Sequence, residues 1–100
     1  MTDKQARAAL ADCRTRIDVV DRRIVALLNE RTRIVEQIGS VKQEMKMPIY
    51  EPKREDEVFA NATSSNPGPL APEAVKRIFE RIIDEMRVVQ RGKMDKGTPC

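Results

Sequence analysis

The chain has no histidine and no tryptophan, and its aromatic residues amount to Tyr50, Phe59 and Phe79. Without histidine the usual general base is missing, as are the commonest metal ligand and every Ser–His or Cys–His nucleophile system. Any catalysis therefore proceeds without these, and no metal or other cofactor is expected. An aromatic content of 3% leaves little on which to stack bases, so a base-reading module is excluded. The two cysteines build no disulfide framework: Cys13 lies beside an apolar stripe and Cys100 is the last residue, which reads as one small core residue and one exposed thiol. No apolar run approaches 18 residues and no charged-then-apolar leader opens the chain, so neither a membrane span nor a signal peptide is expected and the chain reads as cytoplasmic. Charge of one sign is also scarce. A net +3 from 19 basic and 16 acidic residues is too balanced for binding polyphosphate through bulk electrostatics, although a small anion needs only a local cluster.

What is present is helix. From about Lys4 to about Lys46 there is no proline and one glycine, and the ladder Leu10, Arg14, Ile17, Asp21, Ile24, Leu28, Arg31, Val35, Ile38, Lys42, Met45 recurs at 3-4 spacing. A second row, Leu10, Cys13, Ile17, Val20, Ile24, Leu27, Arg31, Ile34, Ile38, Val41, Met45, runs beside it and widens the apolar face to what a multi-helix bundle needs. At ~1.5 Å per residue this helix is roughly 60 Å long, about twice the diameter of a globule of this chain length. A single chain cannot cover it, so a partner chain is implied.

The prolines Pro48 and Pro52 end that helix, and Pro52 is suited to open a second one, roughly Pro52 to Ala62. The run Ser64 to Pro69 is turn chemistry, and Pro72-Glu73 opens a third helix to about Arg91 with the inward row Val75, Phe79, Ile82, Met86, Val89. No strand pattern or repeat appears. The expectation is an all-α chain of three helices with a very long first helix, forming an intertwined homodimeric bundle: one domain over residues 1–91 and a frayed polar tail over 92–100.

Three cations stand inside the stripe that this helix must bury. Lysine and arginine are almost never buried without an anion, and Asp21 can answer at most one of Arg14, Arg31 and Lys42. The surplus calls for partner carboxylates or for a small anionic ligand. Arg31 belongs to both rows; read blandly, it is a core arginine paired with a glutamate. Lys42 lies eleven residues on, ~16 Å along the same face, a gap that two long side chains leaning together can close on one small anion. Arg14 is seventeen residues before Arg31, ~25 Å away, so it can share that site only from another subunit. Arg54-Glu55 is either a solvated charge run or a pair in which Arg54 turns to a carboxylate while Glu51 and Glu55, at i and i+4, accept from a hydroxyl. Gln90 adjoins the end of the third helix's inward row, where a polar residue is more often solvated.

These residues, taken in order, resemble the all-helical (type II) chorismate mutases, small intertwined dimers of three helices. The resemblance covers about Leu10 to Gln90 and rests on Arg14-x-x-Ile17-x-x-x-Asp21, Glu30-Arg31, Ile38-Gly39-x-x-Lys42, the proline-broken loop leading to Arg54-Glu55, and Ile82-Ile83 followed by Gln90. It implies that Arg14 of the partner chain, Arg31 and Arg54 hold the two carboxylates of chorismate and that Lys42 and Gln90 donate to its ether oxygen. Glu55 would take the ring hydroxyl, helped by the backbone near Glu51. The chain departs from the pattern at Met86, where some relatives carry a small hydrogen-bonding residue near the ligand, and at Glu51, where others carry aspartate. The implied reaction suits the chemical poverty of the sequence: a Claisen rearrangement to prephenate is unimolecular and needs confinement of the reactive conformer and stabilisation of charge on the breaking bond.

Three other readings make different demands on these residues. The related isochorismate pyruvate lyases share the bundle and much of the cation set, but tend to carry an apolar residue where this chain has Glu55. A non-enzymatic dimeric helical interaction module would instead pair Arg14, Arg31 and Lys42 with carboxylates and leave no cavity. A nucleic-acid binder would carry its arginines on an exposed face, whereas these sit on the face to be buried.

Overall fold

The computed structural model describes residues 1–96, with side chains described to Gly92. Three helices follow one another, α1 over Asp3–Met45, α2 over Pro52–Ser64 and α3 over Pro72–Lys96. The chain divides into two compact units, Met1–Arg33 and the part from Ile34 onward, with α1 supplying the whole helical content of the first.

In the N-terminal unit nothing covers the helix. None of its residues is buried, and the stripe residues Leu10, Ile17, Val20, Ile24 and Leu27 are all exposed. Cys13 is exposed as well, so the small-core reading of it fails within one chain, because no other element of that unit lies over its face. Cys100 lies outside the described residues.

The second unit is where a core forms. Val35, Gly39 and Lys42, at i, i+4 and i+7, are the buried positions of α1, and Val75, Ile83 and Met86 are buried on α3. Val58, Phe59 and Ala62 of α2 are half-buried, which is the docking expected of the apolar residues in that short charged helix. Lys76 places its ammonium 5.8 Å from the Phe59 ring centroid, a second tie between α2 and α3.

The ends of the helices follow from local chemistry. Lys46 stands at φ +56° just past α1, its N–H donates to the Gln43 carbonyl at 3.3 Å, and the Met47 N–H donates to the Lys42 carbonyl at 2.8 Å. That pair of bonds is a Schellman cap with Lys46 at the left-handed position that glycine usually fills. Pro52 and Pro72 open the next two helices, at positions where a missing N–H costs nothing. The turn between them is held by Asn66, whose Nδ2 donates to the Leu70 carbonyl at 2.7 Å and whose Oδ1 accepts from the Gly68 N–H at 3.0 Å. Gly68 has φ +85°, a conformation that favours glycine.

Two boundaries differ from expectation. α2 continues two residues beyond Ala62, to Ser64, and α3 runs past Arg91 to Lys96. A glycine inside a helix costs about 1 kcal/mol relative to alanine, so Gly92 alone does not stop a helix whose next proline is Pro99. The expected frayed tail is thus helical over its first half, and residues 97–100 lie outside the described part.

Candidate active site

The Schellman cap sets the geometry of the site. It stops α1 one turn after Lys42 and turns the chain back, so that Ile49 and Glu51 pass over the lysine. Lys42 Nζ donates to the Ile49 carbonyl at 3.0 Å and to Gln90 Oε1 at 3.1 Å, and it pairs with Glu51 Oε1 at 2.7 Å. An ammonium has three donors, and each has an acceptor here. This explains how a lysine comes to be 6% exposed in a small helical unit. The cation lies in the last turn of α1, where the helix dipole also favours positive charge.

Glu51 is the N-cap residue of α2, yet its side chain makes no capping bond. A capping carboxylate would reach the free N–H groups of the first turn; this one is turned to Lys42. Its backbone carbonyl accepts from the Glu55 N–H at 3.0 Å, which places Glu51 and Glu55 one turn apart.

Glu55 is held from α3. Arg87 Nε donates to Glu55 Oε2 at 2.9 Å and Arg87 Nη2 donates to Oε1, a bidentate fork between residues that are 32 positions apart. Arg87 Nη1 donates to Asp84 at 3.1 Å, and the guanidinium carbon lies 5.2 Å from the Tyr50 ring centroid. Donation to the Glu55 carboxylate, reinforced by the charges of Glu55 and Asp84, holds the Arg87 guanidinium above its ordinary value, so it stays cationic at any working pH. Arg87 and Gln90 are i and i+3 on α3, and Glu51 and Glu55 are i and i+4, so the Arg87–Glu55 pair lies about one helical turn, ~5 Å, from the Lys42 cluster.

Beside Lys42 an open cleft of about 380 Å³ is lined by Ile34, Gln37, Ile38, Val41, Lys42, Met47 and Glu51. That volume is at the small end of small-molecule sites, apolar with few polar groups, as such sites usually are. Among the described residues no group of three or more cysteine, aspartate or glutamate side chains is arranged to hold a metal ion.

The structure thus brings together Lys42, Gln90 and Glu51 directly, with Glu55 one turn away and Met86 buried on α3, four residues before Gln90. Arg54 points elsewhere: its Nη1 pairs with Glu57 Oε2 at 3.0 Å on the exposed side of α2. Such an exposed pair is worth little and yields readily to a better anion. Arg14 is exposed and Arg31 half-buried, both in the N-terminal unit. Arg87 and Tyr50 were not singled out from sequence. Arg87 flanks the inward row of α3 and looks there like any solvated cation; the only hint was that Glu55, if half-buried, needed a basic partner.

With this geometry in place, the relatives become informative. Residues 13–91 match the family model described as chorismate mutase type II. A bifunctional chorismate mutase/prephenate dehydratase of Aquifex aeolicus is 36% identical over 78 residues, covering 74% of this chain and 22% of that protein. The chain thus spans about a fifth of the length of that relative. Among solved structures, a chorismate mutase of Thermus thermophilus superposes with a TM-score of 0.81 at 36% identity, over 83% of this chain and 94% of that one. A chorismate mutase of Helicobacter pylori in complex with prephenate superposes with a TM-score of 0.81 at 28% identity, over 88% of this chain and 96% of that one. The three helices, the buried lysine and the match over residues 13–91 together show that this chain belongs to the type II chorismate mutase family.

Proposed function

We propose that the chain acts as a chorismate mutase, rearranging chorismate to prephenate in an interlocked homodimer with two identical sites. The observation that carries this reading is Lys42: a buried cation tied to Gln90 and Glu51 at the rim of a cleft, in a chain with no histidine. The rearrangement asks for little else. One carbon–oxygen bond breaks as one carbon–carbon bond forms within the same molecule, so no nucleophile, metal or proton carrier takes part. The work left to the protein is to hold the folded conformer and to meet negative charge growing on the ether oxygen.

In this reading Lys42 gives up one of its three present acceptors and donates that N–H to the ether oxygen, with Gln90 donating beside it. Gln90 turns its carbonyl to Lys42, which leaves the amide NH₂ to donate. Glu55 accepts the ring hydroxyl with the backbone near Glu51, and Met86 packs against the ligand. The carboxylates take Arg54, released from Glu57, together with Arg31 and the partner's Arg14. Supporting the dimer is the exposed stripe of the N-terminal unit, a run of large apolar side chains of the kind that monomeric proteins rarely leave in water. The family and its prephenate-bound member in Helicobacter pylori support the substrate.

The test is the loss of chorismate absorbance with the product identified. Prephenate is the expected product. Release of pyruvate from isochorismate would favour the lyase reading, and failure to consume chorismate would defeat the proposal.

A further inference from the structure

The link into α3 through Lys42 and Gln90 is accounted for by the mutase reading. The link from Arg87 to Glu55 is better built than a helix staple requires. Both carboxylate oxygens are engaged by one planar fork, and the fork is itself fixed by Asp84 at 3.1 Å and by the face of Tyr50 at 5.2 Å. The side chains are 27% and 18% exposed for Arg87 and Glu55, far less than the surface pairs Arg16–Asp12 and Arg81–Glu85. One guanidinium, itself fixed by Asp84 on its own helix and by Tyr50 ahead of α2, thus holds the carboxylate in a single orientation.

We propose that Arg87 is a positioning residue that presents Glu55 as a fixed acceptor for the substrate's ring hydroxyl, and so sets the preference of the site for a hydroxylated ring. This rests on the mutase reading above. A carboxylate offers about four lone-pair positions. The fork takes one on each oxygen, and those that remain point where the geometry of Arg87 directs them. A lysine in place of Arg87 would supply the charge as a point without the planar fork, so charge and orientation are separable. Arg87 touches no reacting atom in this scheme and acts only through Glu55.

The experiment compares kcat/KM for chorismate with kcat/KM for the analogue lacking the ring hydroxyl. In Arg87→Met the value for chorismate falls about tenfold or more, the scale of one charge-assisted hydrogen bond. The value for the analogue changes less than about twofold by the same reasoning, so the ratio of the two collapses. In a Glu55→Ala background the Arg87→Met change moves the ratio no further, since the two residues form one unit. If both substrates lose equally, Arg87 is merely a staple between α2 and α3 and the inference is overturned. Should Arg87→Met fail to fold, Arg87→Lys carries the test: about a threefold fall of the ratio supports positioning by the fork, and an unchanged ratio overturns it. A wild-type protein that consumes no chorismate would instead sink the mutase reading itself.

Discussion

Replacing Lys42 by methionine removes the ammonium while keeping the length that fills its buried position, and the structure lets the consequences be separated. Three acceptors lose their donor: the Ile49 carbonyl, Gln90 Oε1 and Glu51 Oε1. Glu51 is 42% exposed and resolvates, so the folding cost is about 1–3 kcal/mol, that of a few lost hydrogen bonds partly recovered in water. Chemistry suffers more. Loss of a donor to the charge developing on the ether oxygen lowers kcat about 10²–10³-fold. Binding suffers separately, because Glu51 now faces a dianionic substrate uncompensated. At ~8 Å and an effective dielectric of ~20 a unit charge repels a carboxylate by ~2 kcal/mol, and the exposure of Glu51 reduces this to about a tenfold rise in KM. Adding Glu51→Gln should then restore KM while kcat stays low. The assay is steady-state chorismate consumption, with circular dichroism and thermal melting to show that the fold persists. A fall in kcat below about threefold in a folded Lys42→Met protein would refute the role of the lysine, and a KM unmoved by Glu51→Gln would refute the repulsion argument.

Sedimentation at micromolar concentration should find only dimers, because the apolar stripe of the N-terminal unit is otherwise bare; a compact, folded monomer would contradict this. Arg14→Ala and Arg31→Ala should each be nearly inactive alone, yet refolding them as a mixture should recover up to about a quarter of wild-type activity, since random pairing makes half the dimers mixed and half of their sites whole. No recovery in heterodimers shown to have formed would mean that Arg14 does not serve the partner's site. Lys46→Gly should stabilise the protein by about 1 kcal/mol, as the left-handed residue of the Schellman cap then carries no side-chain penalty. A lower melting temperature for this variant would show that the Lys46 side chain contributes more than its backbone strain costs.

The order of elements and most of their limits were legible in the sequence because helical periodicity and proline placement act over a few residues. The 3-4 ladder gave α1, Pro52 and Pro72 gave the starts of α2 and α3, and a lysine inside the ladder marked Lys42 before any coordinates did. Local signals were weaker where no strong breaker stood: Gly92 did not end α3, and Lys46 took a left-handed turn that its side chain gives no reason to expect. The pairings were a different matter. That Glu51 turns to Lys42 instead of capping α2, that Arg54 answers Glu57, and that an unremarked Arg87 grips Glu55 depends on how the chain reverses after Met45 and again between α2 and α3. A charge is promiscuous, and the sequence offers every carboxylate several cations at similar spacing. Only the packing of α2 against α3, and the cap that folds Ile49 and Glu51 back over Lys42, decides which of them come within hydrogen-bond reach.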